Sequence, residues 1–358
     1  MRCLSTKYKI FLFALTDEKI PAEWINEIQP FCEKIEIHHL NKAGIFLRLA
    51  KGVFSAMPFQ CLYYKSNWAA EKINNFVAAS KPDKIIFQLV RTCVYATGFE
   101  ETKCVIDFMD CMSYHYLLRS NKANFFEKFF YKKEYVRLKN FEQQLISRFK
   151  KIAVICEKDK ALLPGNTNQV QVVPNGVVIP AVMQTEKTTD ILFAGNLAYK
   201  PNIAAAVFLC RQVFPLLQKK IPAVKMVIAG ANPAAKIFAL KKEGIEIRGS
   251  FDNALALHQS ARLFLAPMFL STGIQNKILE AMANGLPVIT TPQVVSAIGA
   301  VAGTHLFTAL TAENFADEAE KLLLMPAKDR HVLQQNALQF VIENYNWKTN
   351  SFMLEKLF

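Results

Sequence analysis

A stretch near the last third of the chain joins residues that suit phosphate and sugar. It comprises Thr272, Gly273, Ile274, Gln275, Asn276, Lys277 and Glu280. A strand-like run from Arg262 to Pro267 leads into it, a glycine opens a helical pattern, and Asn284-Gly285 closes it before a new strand at Pro287. Gly273, Ile274 and Gln275 are expected in the first helical turn, where N–H groups have no partner inside the helix and the helix dipole adds positive potential. Lys277 brings a full charge that can neutralise a phosphate. Asn276 and Glu280 are four apart and Lys277 and Glu280 three apart, so they share a helix face. A carboxylate at Glu280 can accept two hydrogen bonds from a vicinal diol such as a ribose. Spacing alone equally fits an amphipathic helix with a solvated Lys–Glu pair.

A second group lies at Asp107, Asp110, Ser113 and His115, where a strand runs into a loop. Two carboxylates, a hydroxyl and an imidazole can accept or relay a proton, and Asp107 or Asp110 can serve as a general base. The plainer reading has Asp110 or Ser113 capping the helix that follows, with His115 exposed on its first turn. Glu157, in Cys156-Glu157-Lys158-Asp159, follows the next strand and is read either as a substrate contact or as part of a helix start. The chain holds no Ser-His-Asp order with a nucleophile elbow, no Walker lysine motif and no metal-ligand spacing. No metal or resident cofactor is expected.

Alternating strands and helices must position these groups. Strands are expected at Tyr8–Leu15, Glu33–Leu40, Asp83–Leu89, Lys103–Phe108 and Lys151–Cys156. Helices fill 20–31, 41–56, 67–80 and a long segment 113–149. After a Pro174-Asn175-Gly176 turn and an aperiodic segment, the pattern restarts. Strands follow at Asp190–Gly195, Val224–Gly230, Ile245–Gly249 and Arg262–Pro267, with helices at Asn202–Lys220, Pro233–Glu243, Asn253–Ser260, Thr311–Leu324 and Asp329–Tyr345. Such alternation predicts α/β domains with parallel sheets covered on both faces. The expected divisions are 1–175, 189–338 and a closing helical segment 339–358.

The 358 residues are too many for one ordinary core, and 52% hydrophobic residues suffice for two. Eight cysteines without a CxxC pair read as reduced, buried thiols of a cytosolic protein. The apolar run at Tyr8–Leu15 reads as a first strand rather than a leader, and no run of transmembrane length occurs. The formal charge is +13. It concentrates in 119–151, where ten Lys and Arg stand against three Glu, interleaved with Phe125, Phe126, Phe129, Phe130, Tyr131 and Tyr135. That stretch fits a helix with one buried aromatic face and a solvated basic face. It also fits the headgroup region of an anionic membrane. Aromatics can stack on bases as well, but no nucleic-acid motif accompanies them and no nucleic-acid partner is expected.

The donor-like stretch, Thr272-Gly273-Ile274-Gln275-Asn276-Lys277-Ile278-Leu279-Glu280, resembles the signature of the family 4 glycosyltransferases. Val173-Pro174-Asn175-Gly176-Val177 resembles that family's interdomain turn. Ile191 to Asn202 resembles the segment that opens its donor domain, and Val227 to Ala231 and Ile247 to Phe251, followed by Asp252, resemble its next two segments in order. The resemblance spans about 172–300 and is closest to a subgroup of bacterial polysaccharide synthesis. It implies two facing doubly wound, Rossmann-like domains in the GT-B arrangement, a retaining reaction and no metal. Residues 1–175 would bind a glycan or lipid-linked acceptor and the second domain a nucleoside-diphosphate sugar. The closing helix would cross back to the first domain.

Carried over by position, the resemblance implies that Gly273 to Lys277 hold the donor diphosphate and Glu280 the ribose. Gly195 and Asn196 would lie beneath the phosphates, and Arg248 and Phe251 near the base. Asp107 and Asp110 would face the reaction with Lys277, and Ser113, His115 and Glu157 would lie on the acceptor side. The leaving phosphate would help to deprotonate the incoming hydroxyl on the same face. Thr272 stands where many members have a sugar-contacting Glu, and Asn196 where many have Arg. These departures keep open a non-catalytic sugar-nucleotide-binding protein, beside a nucleotide-sugar epimerase of the same fold. The implied setting is cytoplasmic, peripheral on the inner face of the membrane.

Overall fold

The apolar runs of the first half form strands close to the expected positions: β1 Phe11–Thr16, β2 Lys34–His39, β3 Ile85–Gln88, β4 Cys104–Asp107, β5 Ile152–Val154 and β6 Val170–Val172. The structure, a computed structural model, describes residues 1–181, 186–250, 254–270 and 273–358, and of residue 122 the backbone alone. It divides into two compact units, Met1–Pro174 with Ser351–Phe358, and Asn175–Asn350. The second boundary thus falls inside the closing helix Trp347–Glu355.

In the first unit the strands form two parallel sheets, β1-β2 and β3-β4-β5-β6. Phe13 and Leu15 of β1 join the core built around Phe87, Ile106, Phe108, Leu138 and Phe149. The buried pair Val105 and Ala153 packs instead with Leu357 from the chain's closing residues. The expected helix over 113–149 is two helices, Met112–Lys122 and Phe125–Arg148. Ala123 and Asn124 take extended backbone, and the Asn124 side chain accepts the Glu127 N–H at 3.0 Å. A side-chain cap of this kind starts a new helix and ends the old one.

The second unit adds β7 Thr189–Ala194, β8 Met226–Ala229, β9 Ile245–Arg248, β10 Ala261–Ala266, β11 Val288–Thr290 and β12 Phe307–Thr308. All pair in parallel in the order β12-β11-β10-β7-β8-β9. This is the doubly wound order, in which the chain runs one way from β7 to β9 and then crosses to the other side at β10. Phe193, Phe214, Phe264 and Phe315 are wholly buried in its core. The helix expected over Pro233–Glu243 is only Ala235–Phe238. β12 and the helix Pro292–Ile298, which the sequence reading did not include, complete the far side.

Close backbone approach fixes two glycines. A Cβ on Gly176 would lie 2.5 Å from the Trp347 ring, so the Pro174-Asn175-Gly176 turn is pressed onto the start of the closing helix. A Cβ on Gly230 would meet the carbonyl oxygen of Gly195 at 1.6 Å, at a backbone φ of +155°. The β7 and β8 exits therefore touch through bare backbone. Gly230→Ala is expected to cost about 2–4 kcal/mol in denaturant unfolding. The neighbouring Gly249→Ala, whose Cβ would meet nothing within 4 Å among the described residues, should change stability by less than about 0.5 kcal/mol.

Candidate functional site

The crossover of the second sheet lies between β7 and β10, and ligands of open α/β sheets bind outside the carboxyl ends of strands at such a point. Gly195 and Asn196 leave β7 there, and the donor-like stretch leaves β10 there. The helix begins at Asn276, three residues later than expected, and runs to Ala283. Gln275 holds the N-cap position with extended ψ, and its side-chain amide donates back to the carbonyls of Gly273 and Ile274 at 3.2 Å each. Extended backbone at Gln275 excludes Gly273 and Ile274 from the first turn. The N–H groups of Asn276 and Lys277 are the ones left without an acceptor in the helix.

Lys277 reaches back from this first turn toward β7. Its Nζ donates to Oδ1 of Asn202, lies 3.7 Å from the Met268 sulfur and stands over the Phe193 ring at 5.7 Å. Its Cε would lie 3.5 Å from a Cβ on Gly195. The other end of the Asn202 amide donates to the Asn196 carbonyl at 2.9 Å. Asn202 is 3% exposed, so one buried amide ties the β7 exit to the lysine. Burial among these apolar groups pushes the Lys277 ammonium down to about 8, against a smaller upward pull from Glu280. Glu280 itself is exposed and forms no ion pair among the described residues. The result is a desolvated cation with a glycine beside it and two backbone donors at its helix start, which is a diphosphate-binding chemistry.

Asn202 and Met268 were not among the residues singled out from sequence. The signal available was an amide side chain followed only by apolar residues to the end of the helix Lys200–Phe208. Arg248 ends β9 at the sheet edge and is held in a two-pronged pair with Glu246, at 2.5 and 3.0 Å. Phe251 and Thr272 lie outside the described residues.

In the first unit, Asp107 ends β4 and accepts the Met109 N–H at 3.1 Å. Burial raises its carboxyl to about 6, partly offset by that bond and by Gln88. Asp110 lies 3.5 Å from the His115 ring nitrogen, and its other oxygen is buried without a partner. Burial raises Asp110 too, opposed chiefly by His115. Asp110 and His115 therefore form a partly open acid–base pair, and the Asp110 charge adds to the rise at Asp107. Ser113 is turned inward at 2% exposure; its N–H donates to Glu142 at 2.9 Å and its hydroxyl lies 3.4 Å from the Cys111 sulfur. Glu157 is exposed on the first turn of the helix Glu157–Leu162, while Asp159 behind it is buried, accepting from the Cys111 N–H at 3.2 Å.

Residues 188–324 match the family model described as "Glycosyl transferases group 1". The chain is 24% identical over 259 residues to an "Uncharacterized 44.6 kDa protein in cps region" of Klebsiella pneumoniae, a match that covers 67% of this chain and 64% of that protein. Its fold is similar to that of a sucrose-phosphate synthase from Thermosynechococcus elongatus, with TM-score 0.68, 12% identity and 98% of both chains covered. It is likewise similar to Anabaena HepE, solved in complex with UDP-glucose, with TM-score 0.68, 10% identity and coverage of 97% of this chain and 98% of that one. TarM is matched over 75% of this chain and 58% of its own length, with TM-score 0.54 and 14% identity. These likenesses show the fold, with two Rossmann-like parallel-sheet units, and the group 1 match lies in the second of them.

The ligand-free lysine has a testable cost. Its folded value of about 8 lies below the ordinary 10.5, so between those pH values the unfolded chain binds more protons and stability rises with pH. Below pH 8 the penalty is complete; above 10.5 it is gone. The stability difference between the native chain and Lys277→Gln, followed by denaturant unfolding, should therefore shift by on the order of 1–3 kcal/mol in favour of the native chain across that window. A flat difference would remove the desolvated cation.

Proposed function

We propose that this chain is a retaining glycosyltransferase that moves a sugar from a nucleoside-diphosphate sugar to a hydroxyl of a glycan or lipid-linked acceptor during cell-surface polysaccharide synthesis. The observation that carries the reading is Lys277, desolvated and tied through Asn202 to the β7 exit at the crossover of the second sheet. A diphosphate placed there meets Lys277 and the N–H groups of Asn276 and Lys277. Glu280, exposed on the same helix face, takes the ribose hydroxyls. These donors favour the charge that grows on the departing diphosphate more than the charge of the intact donor, which is how such a site accelerates transfer.

In the proposed reaction the acceptor oxygen bonds to the anomeric carbon as the bond from that carbon to the diphosphate oxygen breaks. The acceptor proton passes to the departing phosphate on the same face. We assign Asp107, Asp110 and His115 to the acceptor side, where they orient the incoming hydroxyl. The Klebsiella relative's place in a cps region supports the polysaccharide setting. HepE, solved with UDP-glucose, makes uridine donors the first to test.

Purified chain screened against nucleotide-sugars should show a raised thermal midpoint with a preferred donor, and turnover of that donor that depends on an added acceptor. Acceptor-independent interconversion of the sugar would identify an epimerase instead, and donor binding with no turnover in the presence of acceptor extracts a non-catalytic binder. Lys277→Ala should lower kcat/KM by about 10²–10³-fold. Near pH 8.5 diphosphate binding should draw a fraction of a proton onto Lys277, visible as a buffer-dependent binding enthalpy. Lys277→Gln should abolish that dependence.

A further inference from the structure

The helix Phe125–Arg148 presents two apolar faces. One is spent on the core through Leu138, Leu145 and Ile146. The other carries Phe125, Phe126 and Phe129, which are 83%, 85% and 74% exposed. Their spacing of one and four residues puts them on one side of the helix, away from the core positions. A loop from another element extends this face. Phe54, 95% exposed, sits beside Val53, whose carbonyl accepts from Lys133 at 3.0 Å and from Arg137 at 2.9 Å. Phe59, just after that loop, stacks on Phe130 with ring centroids 5.4 Å apart. Aromatic rings on this scale are not left in water without a partner on most folded surfaces.

The charges around the patch select the partner. Lys128, Lys132 and Lys133 are exposed along the same helix. Of the three acids in 119–151, Glu134 and Glu142 are wholly buried, and burial raises both carboxyls, Glu142 to about 7. Glu127 alone remains at the surface among them. The segment that supplies the loop is basic as well: from Lys42 to Lys65 there are four Lys and Arg and no acid. A second copy docked through this face would set basic side chains against basic side chains. An anionic lipid surface offers the complement to both features, with phosphates for the lysines and the acyl boundary for the rings. No helix among the described residues is long and apolar enough to cross a membrane.

We infer that the first unit docks peripherally on anionic membranes through the Phe125–Phe130 turn and the Gly52–Phe54 loop, with Phe125, Phe126, Phe129 and Phe54 inserted at headgroup depth. This concerns residues of the first unit alone and is independent of the transferase reading. Flotation of the full chain with vesicles of phosphatidylcholine alone, or with about one third phosphatidylglycerol, tests it. The bound fraction should be at least about tenfold higher on the anionic vesicles and should fall with added salt. The triple variant Phe125→Ser/Phe126→Ser/Phe129→Ser should lose at least about tenfold of that binding, and so should Lys128→Glu/Lys132→Glu. Both change exposed side chains, so the thermal midpoint should stay within a few degrees. Phe54→Ser, on a separate element, should weaken binding on its own. Equal binding by native and triple-variant chains, or no binding to anionic vesicles, overturns the proposal. So does a native dimer that the triple variant converts to monomer while vesicles capture neither.

Discussion

An ammonium group held largely out of water, with an amide and not a carboxylate for its partner, is the constraint on which the second unit turns. Removing a cation from solvent is costly, and here one neutral hydrogen bond and an aromatic face compensate only in part. The strain of that arrangement is useful where an anion is due to arrive, because the ligand then supplies the missing charge. Much of the local sequence follows from it. Gly195 leaves room for the Asn202 amide, which a Cβ there would meet at 2.9 Å, Asn202 joins two loops with a single side chain, and Gly230 lets the β8 exit close on the β7 exit. A carboxylate at position 202 would pair with the lysine and cancel its uncompensated charge.

The first unit handles buried charge differently. Glu134, Glu142 and Asp159 are all inside, and each is committed to backbone N–H groups of neighbouring segments: Gln60, Ser113 and Cys111. Glu134 and Glu142 pin their partners to the helix Phe125–Arg148 and Asp159 pins Cys111 to the helix Glu157–Leu162, which leaves Asp107, Asp110 and His115 as the partly open acid–base residues. The same withdrawal of acids into the core leaves the surface more basic than the composition suggests. Packing and surface charge are thus two outcomes of one choice.

Strand positions were legible because each is a short apolar run bounded by polar residues, and the helix Asn67–Ser80 was legible in both ends: Ser66 caps Ala69, and Lys81 turns left-handed to stop it. The helix that follows β10 and carries Lys277 was legible from its spacing. Its start was placed too early because Gln275 gives no sequence sign of turning its amide onto the carbonyls behind it. The break at Ala123-Asn124 was hidden for a related reason, since an asparagine inside a charged helical pattern reads as one more polar position. The inward direction of Glu134, Glu142 and Ser113 was not legible at all. Their partners are backbone groups on distant segments, and only tertiary structure brings those within reach.

The discontinuity of the first unit bears on how the chain is made. Val105 of β4 and Ala153 of β5 are covered by Leu357, and Lys151 reaches the Phe358 carbonyl across 207 positions. At ordinary ribosomal speed those residues are separated by roughly 10–40 s of synthesis. The second unit, contiguous from Asn175 to Asn350, is complete on emergence before the first has its last core residues. The part translated first is therefore the part that finishes folding last, and during that interval its β4 and β5 surfaces wait uncovered.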